Sequence, residues 1–412
     1  MTILRSKAML ALCLACLLTL SASAQMLARP GWAGFAQKSE GWWKHSIIYE
    51  VEPHGFSSEG LKGITARLNY IHSLGADAIL LTHIAPDTAH PQSLDPAIGT
   101  LDDLDDLSRQ ASSRNMRVLL DLGTLPAGTD LNSLARLWLN RGLAGFRIAD
   151  AQQAEQLRKI AASYIGQRIV IGDLAPGTQQ DLQLVLDANL TKINQATASA
   201  LRPELEAIQA NKNPLLVATD GPDTPRSATR LGPNAAKVLA AILLTTHSSS
   251  LLYYGQEINL TAATMPWGEV AAKVPTANHR STHPAPADPK SVAGQDADPH
   301  SVLSWYRQLS ALHHSNRTLD SAPAIMLNHD DQNVLAWVRK PEGASLRNPA
   351  IVEICNLSAQ PVRLSLKDDI QKLHLRGNFL RTILRSDNGM GPMSLDSMTI
   401  PPYTVYIGEL RY

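Results

Sequence analysis

Short apolar runs and segments of about 3.6-residue period alternate along the chain from about residue 45 to residue 315. The runs predict strands at 46–51, 77–82, 117–122, 145–149, 168–172, 214–219 and 251–254, with a weak strand at 191–194. The periodic segments predict helices at 63–74, 101–115, 131–141, 151–164, 179–189, a segment ending near 211, 235–246 and 298–313. Close to eight strand-helix units of this length predict a (β/α)8 TIM barrel, and a doubly wound sheet is the alternative.

The pattern changes near residue 316 to short alternating runs separated by Asn, Asp and Gly. These runs predict a C-terminal antiparallel β-sandwich domain over 316–412, after a barrel domain over 25–315. Residues 268–299 are rich in Pro, Ala, Asp and His, which predicts a long irregular loop over one end of the barrel.

The N-terminus has the pattern of a signal peptide. Arg5 and Lys7 precede an apolar run at 8–20, and small residues then end at Ala24. We therefore expect cleavage after Ala24, with residues 1–24 removed and the mature protein exported to a periplasm or the cell exterior. The run is shorter than the roughly 20 residues that span a bilayer, so the mature chain is expected to have no membrane span.

Composition narrows the choice of partners. The 412 residues suffice for two or three domains, and 37 Lys and Arg balance 37 Asp and Glu. With no net field, the chain is not expected to bind nucleic acid. Cys13 and Cys16 lie in the signal peptide, so Cys355 is left alone and no disulfide is expected.

Neither a cofactor nor a metal is predicted. The chain has no glycine motif of the kind that cradles phosphate, and the spacings of five candidate histidines fit no ligand motif. These histidines are His45, His54, His72, His83 and His90.

Aromatic residues offer two interpretations, a platform for sugars or packing at the ends of the barrel. Packing is favoured for Trp42, Trp43, Tyr253 and Tyr254. Trp267, beside the long loop, is the best aromatic candidate for a ligand contact.

Seven segments in order resemble the α-amylase superfamily, glycoside hydrolase family 13. They are 42–56 (WWKHSIIYEVEPHGF), 63–86, 98–122, 137–150 (LWLNRGLAGFRIAD), 221–232 (GPDTPRSATRLG), 251–260 and 395–410. The resemblance implies the barrel and C-terminal β domain described above. It also implies cleavage of α-glycosidic bonds with retention, by a carboxylate nucleophile and a carboxylic acid about 5 Å apart.

The nucleophile of that family does not have its counterpart here. The resemblance places it two residues after the Arg of the fourth strand, and Arg147 is followed at that distance by Ala149, whose methyl group cannot attack a sugar. Asp150 is one residue further, and because strand side chains alternate, its carboxylate is expected to point away unless a bulge re-aims it.

The remaining family positions are changed to different degrees. The acid/base Glu of the fifth strand corresponds to Asp173, which is one methylene shorter, and the third acid corresponds to Asp223. The family His before that acid is Pro222 here. The third-strand motif keeps Asp121, whereas its two polar sugar contacts are replaced by Leu125 and Pro126. Arg147 is expected to hold neighbouring carboxylates, with substrate contact as the alternative.

The superfamily commonly inserts a small B domain after the third strand, and here only residues 123–130 connect that strand to the next helix. The short connection, the missing nucleophile beside an acid and the C-terminal β domain together resemble the extracellular domain of the heavy subunits of heteromeric amino-acid transporters. Those subunits are non-catalytic and are partners of a membrane protein. Those subunits carry a membrane anchor and a linking cysteine. Here a cleavable signal is expected in place of the anchor, and no cysteine is expected near the mature N-terminus, so that partner is not carried over.

Three functions remain open. The first is an exported protein of carbohydrate-metabolism ancestry without catalysis, a pseudoenzyme that binds an α-glucan, another oligosaccharide or a protein partner. The second is a weak retaining α-glucosidase or transglycosylase that uses Asp173 and Asp223, with Asp150 re-aimed. The third is a different hydrolytic activity at the same barrel mouth.

Overall fold

Eight parallel strands close into a barrel in chain order, each paired with its neighbours, and the last strand pairs with the first. They are β1 (Ile47–Val51), β2 (Ala78–Leu81), β3 (Arg117–Asp121), β4 (Gly145–Ile148), β5 (Ile169–Asp173), β6 (Leu184–Asp187), β7 (Leu215–Ala218) and β8 (Ser249–Tyr253). The predicted TIM barrel is confirmed, and the closed strand order rules out the doubly wound sheet.

The computed structural model describes residues 41–173, 180–268, 287–345, 347–387 and 389–412. The predicted signal peptide lies outside these residues, as does most of the predicted loop at 268–299. No helix in the described ranges combines the length and apolar character needed to cross a bilayer.

Helices cover the outside of the barrel. They are α1 (Pro53–Phe56), α2 (Gly60–Ala66), α3 (Leu68–Ser73), α4 (Leu101–Ser112), α5 (Leu131–Asn140), α6 (Ala151–Ala161), α7 (Ala198–Ala210), α8 (Ser227–Arg230), α9 (Pro233–Thr245), α10 (Val292–Asp296), α11 (Val302–Ser315) and α12 (Arg317–Ser321).

Side-chain caps fix where several of these helices begin. Thr100 and Asp103 form a reciprocal capping box at α4, and Asp130 accepts hydrogen bonds from two backbone N–H groups at the start of α5. Such caps satisfy donors that the first helical turn leaves without partners. The sequence boundaries predicted for these helices therefore agree closely with the structure at their N-termini.

The sixth unit corrects two predictions. The helix predicted at 179–189 is wrong, because strand β6 occupies Leu184–Asp187. The strand predicted at 191–194 is also wrong, because a 3-10 helix covers Asn189–Lys192. Partners on both sides, β5 and β7, stabilise the short run as a strand, and this tertiary pairing overrides the local helical pattern.

The C-terminal region is antiparallel, as predicted. Its strands are β9 (Ala324–Leu327), β10 (Val334–Arg339), β11 (Ile351–Asn356), β12 (Val362–Leu364), β13 (Phe379–Arg385), β14 (Met393–Ser394), β15 (Met398–Ile400) and β16 (Val405–Arg411), with a helix α13 (Lys367–Lys372). Six strands form one sheet in the order β14-β13-β16-β11-β10-β9, and β12 pairs with β15 in a separate ribbon.

The six-stranded sheet buries both faces. Val334 and Val352 face a core that includes Ile400 of the ribbon. Leu335 and Trp337, on the opposite face, belong to the same apolar core as the barrel helices. The barrel and the sheet lie in one unit, Trp43–Tyr412, so the predicted division at residue 315 stays a prediction.

Polar groups also cross this contact. Arg339 is 1% exposed and donates hydrogen bonds to the carbonyl oxygens of Ala322 (2.7 Å) and Thr245 (2.5 Å). The Thr245 hydroxyl donates to Glu353 Oε1 at 3.0 Å. Because these groups are buried, each hydrogen bond matters more than its surface equivalent.

Candidate functional site

The carboxyl ends of the barrel strands surround a cavity of about 450 Å³. Strand register decides which side chains enter it, because paired residues of parallel strands point to the same side of the sheet. Glu50 pairs with Leu80, Asp121 with Arg147, and Asp173 with Leu186. All six residues line the cavity. The structure therefore brings Arg147 and Asp173 together, at the end of a barrel where active sites of this fold lie.

Arg147 joins two carboxylates across three adjacent strands. Its Nη2 lies 2.7 Å and 2.9 Å from the two oxygens of Asp173, and its Nε lies 3.2 Å from Asp173 Oδ1. Its Nη1 lies 3.2 Å from each oxygen of Asp121. Asp121 Oδ1 also accepts a hydrogen bond from the Gly123 backbone at 2.8 Å. The arrangement satisfies the guanidinium from both sides and fixes Asp173 in one orientation.

Charge and burial have opposite effects on the pKa values of Arg147 and Asp121. Burial lowers the pKa of the Arg147 guanidinium, but the Asp121 and Asp173 carboxylates outweigh it and raise that pKa above its ordinary value. Burial raises the pKa of Asp121, and Arg147 acts against the rise. Arg147 is thus a fixed positive charge between two acids, as expected from the sequence.

The position two residues after Arg147 holds a methyl group at the rim of the barrel. Ala149 has the same strand parity as Arg147, and its backbone N–H donates to Gly123 O at 3.0 Å. Strand β4 pairs with β5 residue by residue from Gly145 to Ile148, without the bulge that would re-aim the next acid.

Asp150 has a structural position instead. Its side chain is exposed and accepts a hydrogen bond from the Gln153 backbone at 2.8 Å, which caps helix α6. It does not line the cavity. The re-aimed carboxylate that the enzyme hypothesis requires is therefore absent from this arrangement.

Asp223 follows strand β7 and lines the same cavity as Asp173. It is exposed, and no hydrogen bond or ion pair reaches its carboxyl from the described residues. Two further acids line the cavity nearby. Asp220 is 1% exposed and accepts hydrogen bonds from the backbone and the hydroxyl of Ser227, and Asp187 accepts one from the Asn189 backbone at 3.0 Å.

Glu50, like Asp187 and Asp220, lines the cavity but was not identified from the sequence. It is only 4% exposed, yet it points into the cavity from β1. Burial raises the pKa of its carboxyl to about 8; Asp121 and Asp223 add to the rise, and Arg147 opposes it. The signal in the sequence is a single acid inside the apolar strand Ile47–Val51, at the alternate position that faces the barrel interior.

Trp267 belongs to a packed aromatic cluster and does not line the cavity. Its Nε1 donates to Phe56 O at 2.8 Å, its ring lies 4.9 Å from the Phe56 ring and 5.1 Å from the Tyr70 ring, and the Arg67 guanidinium lies 4.2 Å from its centre. The predicted ligand contact is therefore replaced by a packing position.

Tyr253 and Tyr254 are both buried, in line with the packing role favoured for them. The guanidinium of Arg226 lies 4.7 Å from the centre of each ring. The Tyr254 hydroxyl donates to Ala263 O at 2.6 Å. These rings close the barrel beside β8 rather than offering a flat face to a sugar.

The predicted histidine positions are dispersed. His54, His72 and His83 are exposed, and His90 pairs with Asp87 at 2.8 Å. Across the described ranges, no group of three or more His, Cys, Asp or Glu side chains is arranged to hold a metal ion.

A short connection follows the third strand. Strand β3 ends at Asp121 and helix α5 begins at Leu131, so Leu122–Asp130 is the whole segment between them. Leu125 is buried and Pro126 is exposed, and neither lines the cavity at Arg147. On this side the lining of the cavity includes Asp121 and no residue of the segment 122–130.

Residues 42–124 match the family model of the α-amylase catalytic domain. Trehalose-6-phosphate hydrolase of Escherichia coli is 41% identical over 95 residues, which cover 20% of this chain and 17% of that protein. The amino acid transporter heavy chain SLC3A2 of Oryctolagus cuniculus is 26% identical over 318 residues, which cover 68% of this chain and 60% of that protein. The chain thus spans only part of the length of these curated relatives.

Solved structures give the same fold at low sequence identity. Trehalose-6-phosphate hydrolase of Bacillus licheniformis superposes with a TM-score of 0.74 at 16% identity, covering 90% of this chain and all of that one. An isomaltulose synthase of Erwinia rhapontici superposes with a TM-score of 0.73 at 15% identity, over the same share of each chain. The barrel with its C-terminal antiparallel sheet therefore has the same fold as these structures, and residues 42–124 carry the match to the α-amylase catalytic domain.

Proposed function

We propose that this protein binds a saccharide at the mouth of its barrel without cleaving it. The observation that carries the proposal is Ala149, which supplies a methyl group at the position from which a retaining glycosidase attacks the sugar. Asp150 is engaged as the cap of helix α6 and does not line the cavity. No side chain at this position can therefore form a covalent bond to the sugar.

The second acid supports the same proposal. A general acid must carry a proton to the departing oxygen. Asp173 instead accepts three hydrogen bonds from Arg147, so both of its carboxyl oxygens are already engaged as acceptors. A carboxyl group held in this way is better suited to accept hydrogen bonds from sugar hydroxyl groups than to donate a proton.

The connection after the third strand is only the segment 122–130, and none of its residues lines the cavity. Glycoside cleavage benefits from a closed site that excludes water and fixes the scissile bond. Binding does not need such closure, because hydrogen bonds from carboxylates and apolar contacts can hold a sugar in an open cavity. Residues such as Leu186 and Leu216 supply the apolar part of the lining.

The test combines turnover with binding on the purified chain. We expect no release of p-nitrophenol from α-glucosides and no new reducing ends from maltose or starch. We also expect saturable binding of an oligosaccharide by isothermal titration calorimetry, weakened by Asp173→Ala and Asp223→Ala. Turnover abolished by both substitutions would favour the alternative, a weak α-glucosidase or transglycosylase.

Asp181→Ala is the matched control for these two variants. Asp181 is an acid whose side chain is 87% exposed, and it pairs with Arg158 away from the cavity lining. Its removal should leave both binding and stability close to those of the parent protein.

A protein partner is the second candidate. The similarity to an amino acid transporter heavy chain extends over 68% of this chain, whereas the similarity to the Escherichia coli hydrolase covers 20%. Cross-linking of the native protein, followed by identification of the linked peptides, tests this candidate. A reproducible cross-linked partner on the barrel surface would support it, and a chain that migrates alone and binds saccharide would not.

We also propose that the protein acts after export, because the pattern at residues 1–24 is that of a cleaved signal peptide. The intact mass of the protein recovered outside the cytoplasm tests this point. A mature chain that begins at Gln25 is expected. An uncleaved chain retained in the cytoplasm would contradict the proposal.

A further inference from the structure

The cavity at the barrel mouth carries more negative than positive side chains. Six carboxyl groups line it, against two cations, Arg147 and Lys192. Arg147 is already engaged by Asp121 and Asp173. Lys192 is exposed and lies at the rim, with its Nζ 3.4 Å from Asn189 Oδ1. Within the described ranges, the cations lining the cavity are too few to balance its acids.

Two buried carboxyl groups add an observation independent of this charge count. Glu50 is 4% exposed and lines the cavity, and no hydrogen bond or ion pair from the described residues reaches its carboxyl. Asp187 is also 4% exposed, and the Asn189 backbone engages only its Oδ1. A buried polar group without a partner is costly, so a ligand that supplies donors here gains binding energy.

The chemistry of the complementary ligand follows from the groups present. The described residues hold no arrangement of three or more acidic, His or Cys groups suited to a metal ion. An anionic ligand would be repelled by the excess of carboxylates. Neutral hydroxyl groups can donate to these acids, but an organic cation also offsets their excess charge, and a primary ammonium group supplies three donors.

We propose that the cavity recognises a saccharide that carries a protonated primary amine, with Glu50 and Asp223 as the carboxyl groups that face the ammonium. This inference rests on the proposed saccharide-binding function and names its ligand class. The mixed lining supports a sugar over a simple polyamine. Leu80, Leu186 and Leu216 offer apolar surface for ring CH groups beside the acids.

Binding of such a ligand is expected to displace a proton. The groups around Glu50 are Asp121 from β3, Arg147 from β4, Asp223 after β7 and Tyr253 from β8, while β2 faces it with an apolar side chain. With a pKa of about 8, the Glu50 carboxyl is mainly protonated at pH 7. An ammonium group beside it favours the ionised form, so the carboxyl proton passes to the buffer when the ligand binds.

Calorimetry on the full mature chain tests the inference with three trisaccharides at about pH 6, where the sugar amines and the Glu50 carboxyl carry their protons before binding. They are the β-1,4 trimer of glucosamine, its fully N-acetylated form and maltotriose. We expect the amine trimer to bind at least about tenfold more tightly than either neutral sugar, with an advantage that shrinks as salt is added. Its binding heat should vary with the ionisation enthalpy of the buffer, as release of a proton requires.

Two substitutions separate the contributing carboxyl groups. Glu50→Gln keeps the size of the side chain and should abolish the buffer-dependent heat. Asp223→Asn lies on an exposed loop, so it should fold normally, and it should reduce the preference for the amine to below about threefold. Asp150→Asn is the control, because Asn caps a helix as well as Asp does and Asp150 lies outside the cavity lining.

The outcomes distinguish this inference from the function on which it rests. Equal affinity for maltotriose and the amine trimer would overturn the inference and leave saccharide binding intact. Failure of all three sugars to bind would contradict both. An amine preference and a proton release that persist in Glu50→Gln would remove Glu50 from the recognition site.

Discussion

Arg147 holds Asp173 through both carboxylate oxygens, with Nη2–O distances of 2.7 Å and 2.9 Å. The same guanidinium reaches Asp121 on the strand to its other side. Arg147, on the fourth strand, therefore has a structural role two residues before Ala149. The barrel mouth thereby keeps its order, and Asp173 keeps one orientation toward the cavity.

Replacing Arg147 by Met should destabilise the protein by about 3 kcal/mol, because two partly buried carboxylates lose their shared counter-charge. Urea unfolding followed by circular dichroism measures this loss. Arg109→Met is the control, since Arg109 pairs with Asp106 on the exposed face of helix α4. The control should change stability by less than about 0.5 kcal/mol. Equal effects of the two substitutions would show that the contacts of Arg147 with Asp121 and Asp173 stabilise the protein no more than an exposed ion pair does.

Glu50 should make stability depend on pH. Its pKa in the folded protein is about 8, against 4.5 as its ordinary value. A raised pKa means that the folded state binds the proton more tightly, so this stabilisation is complete below about pH 4.5 and is lost as pH rises through 8. Glu50→Gln should unfold at a higher temperature than the parent protein at pH 9 and at a similar one at pH 5.

The size of this effect is bounded by the rise of the pKa from 4.5 to about 8, which corresponds to at most about 5 kcal/mol. Glu353→Gln offers a comparison elsewhere in the chain, since burial also raises the pKa of Glu353 to about 8. Each substitution should remove part of the decline in stability between pH 5 and pH 9. A parent protein whose melting temperature does not decline over that range would contradict the assignment.

Arg339 should couple the antiparallel sheet to the barrel. Its hydrogen bonds to Ala322 and Thr245 are buried, so Arg339→Met leaves carbonyl oxygens without donors and should cost about 3 kcal/mol. Arg381→Met, at an exposed pair with Glu409, is the control and should cost less than about 1 kcal/mol. Differential scanning calorimetry should show a single transition for the parent protein. Two well-separated transitions would indicate domains that unfold independently.

A carboxylate introduced at position 149, together with a longer acid at position 173, should not produce an efficient enzyme. In the double variant Ala149→Asp, Asp173→Glu, we expect kcat on p-nitrophenyl α-glucoside below about 0.01 s⁻¹, against 1–10³ s⁻¹ for typical enzymes. The reason is the short segment 122–130, none of whose residues adds to the lining of the cavity. A double variant with ordinary enzymatic turnover would show that closure of the cavity is dispensable.

Much of the barrel could be predicted from the sequence, because its central strands are short apolar runs separated by periodic segments. The strand β6 could not, since Leu184–Asp187 becomes a strand only through pairing with β5 and β7. Local periodicity cannot report that pairing. The helix starts were predictable because residues such as Thr100 and Asp130 carry their own capping chemistry.

The residues of the site also divide into those that the sequence predicts and those that only the structure identifies. Arg147, Asp173 and Asp223 could be located by their resemblance to family motifs, and the structure brings all three to one cavity. The sequence does not single out Glu50, because the family resemblance covers the whole of strand β1. The role of Glu50 depends on its side chain facing the inside of the barrel. Trp267 is predicted to contact a ligand because it lies beside the long loop, whereas its ring packs against Phe56 and Tyr70.

The most direct test of the central claim is an attempt to trap a glycosyl intermediate on the mature chain with an activated fluorinated α-glucoside. Intact-mass spectrometry then compares the protein before and after long incubation. Because Ala149 stands at the position that the family resemblance assigns to the nucleophile, we predict an unchanged mass even at high reagent concentration. A stoichiometric adduct mapped to any carboxylate at the barrel mouth would contradict the account.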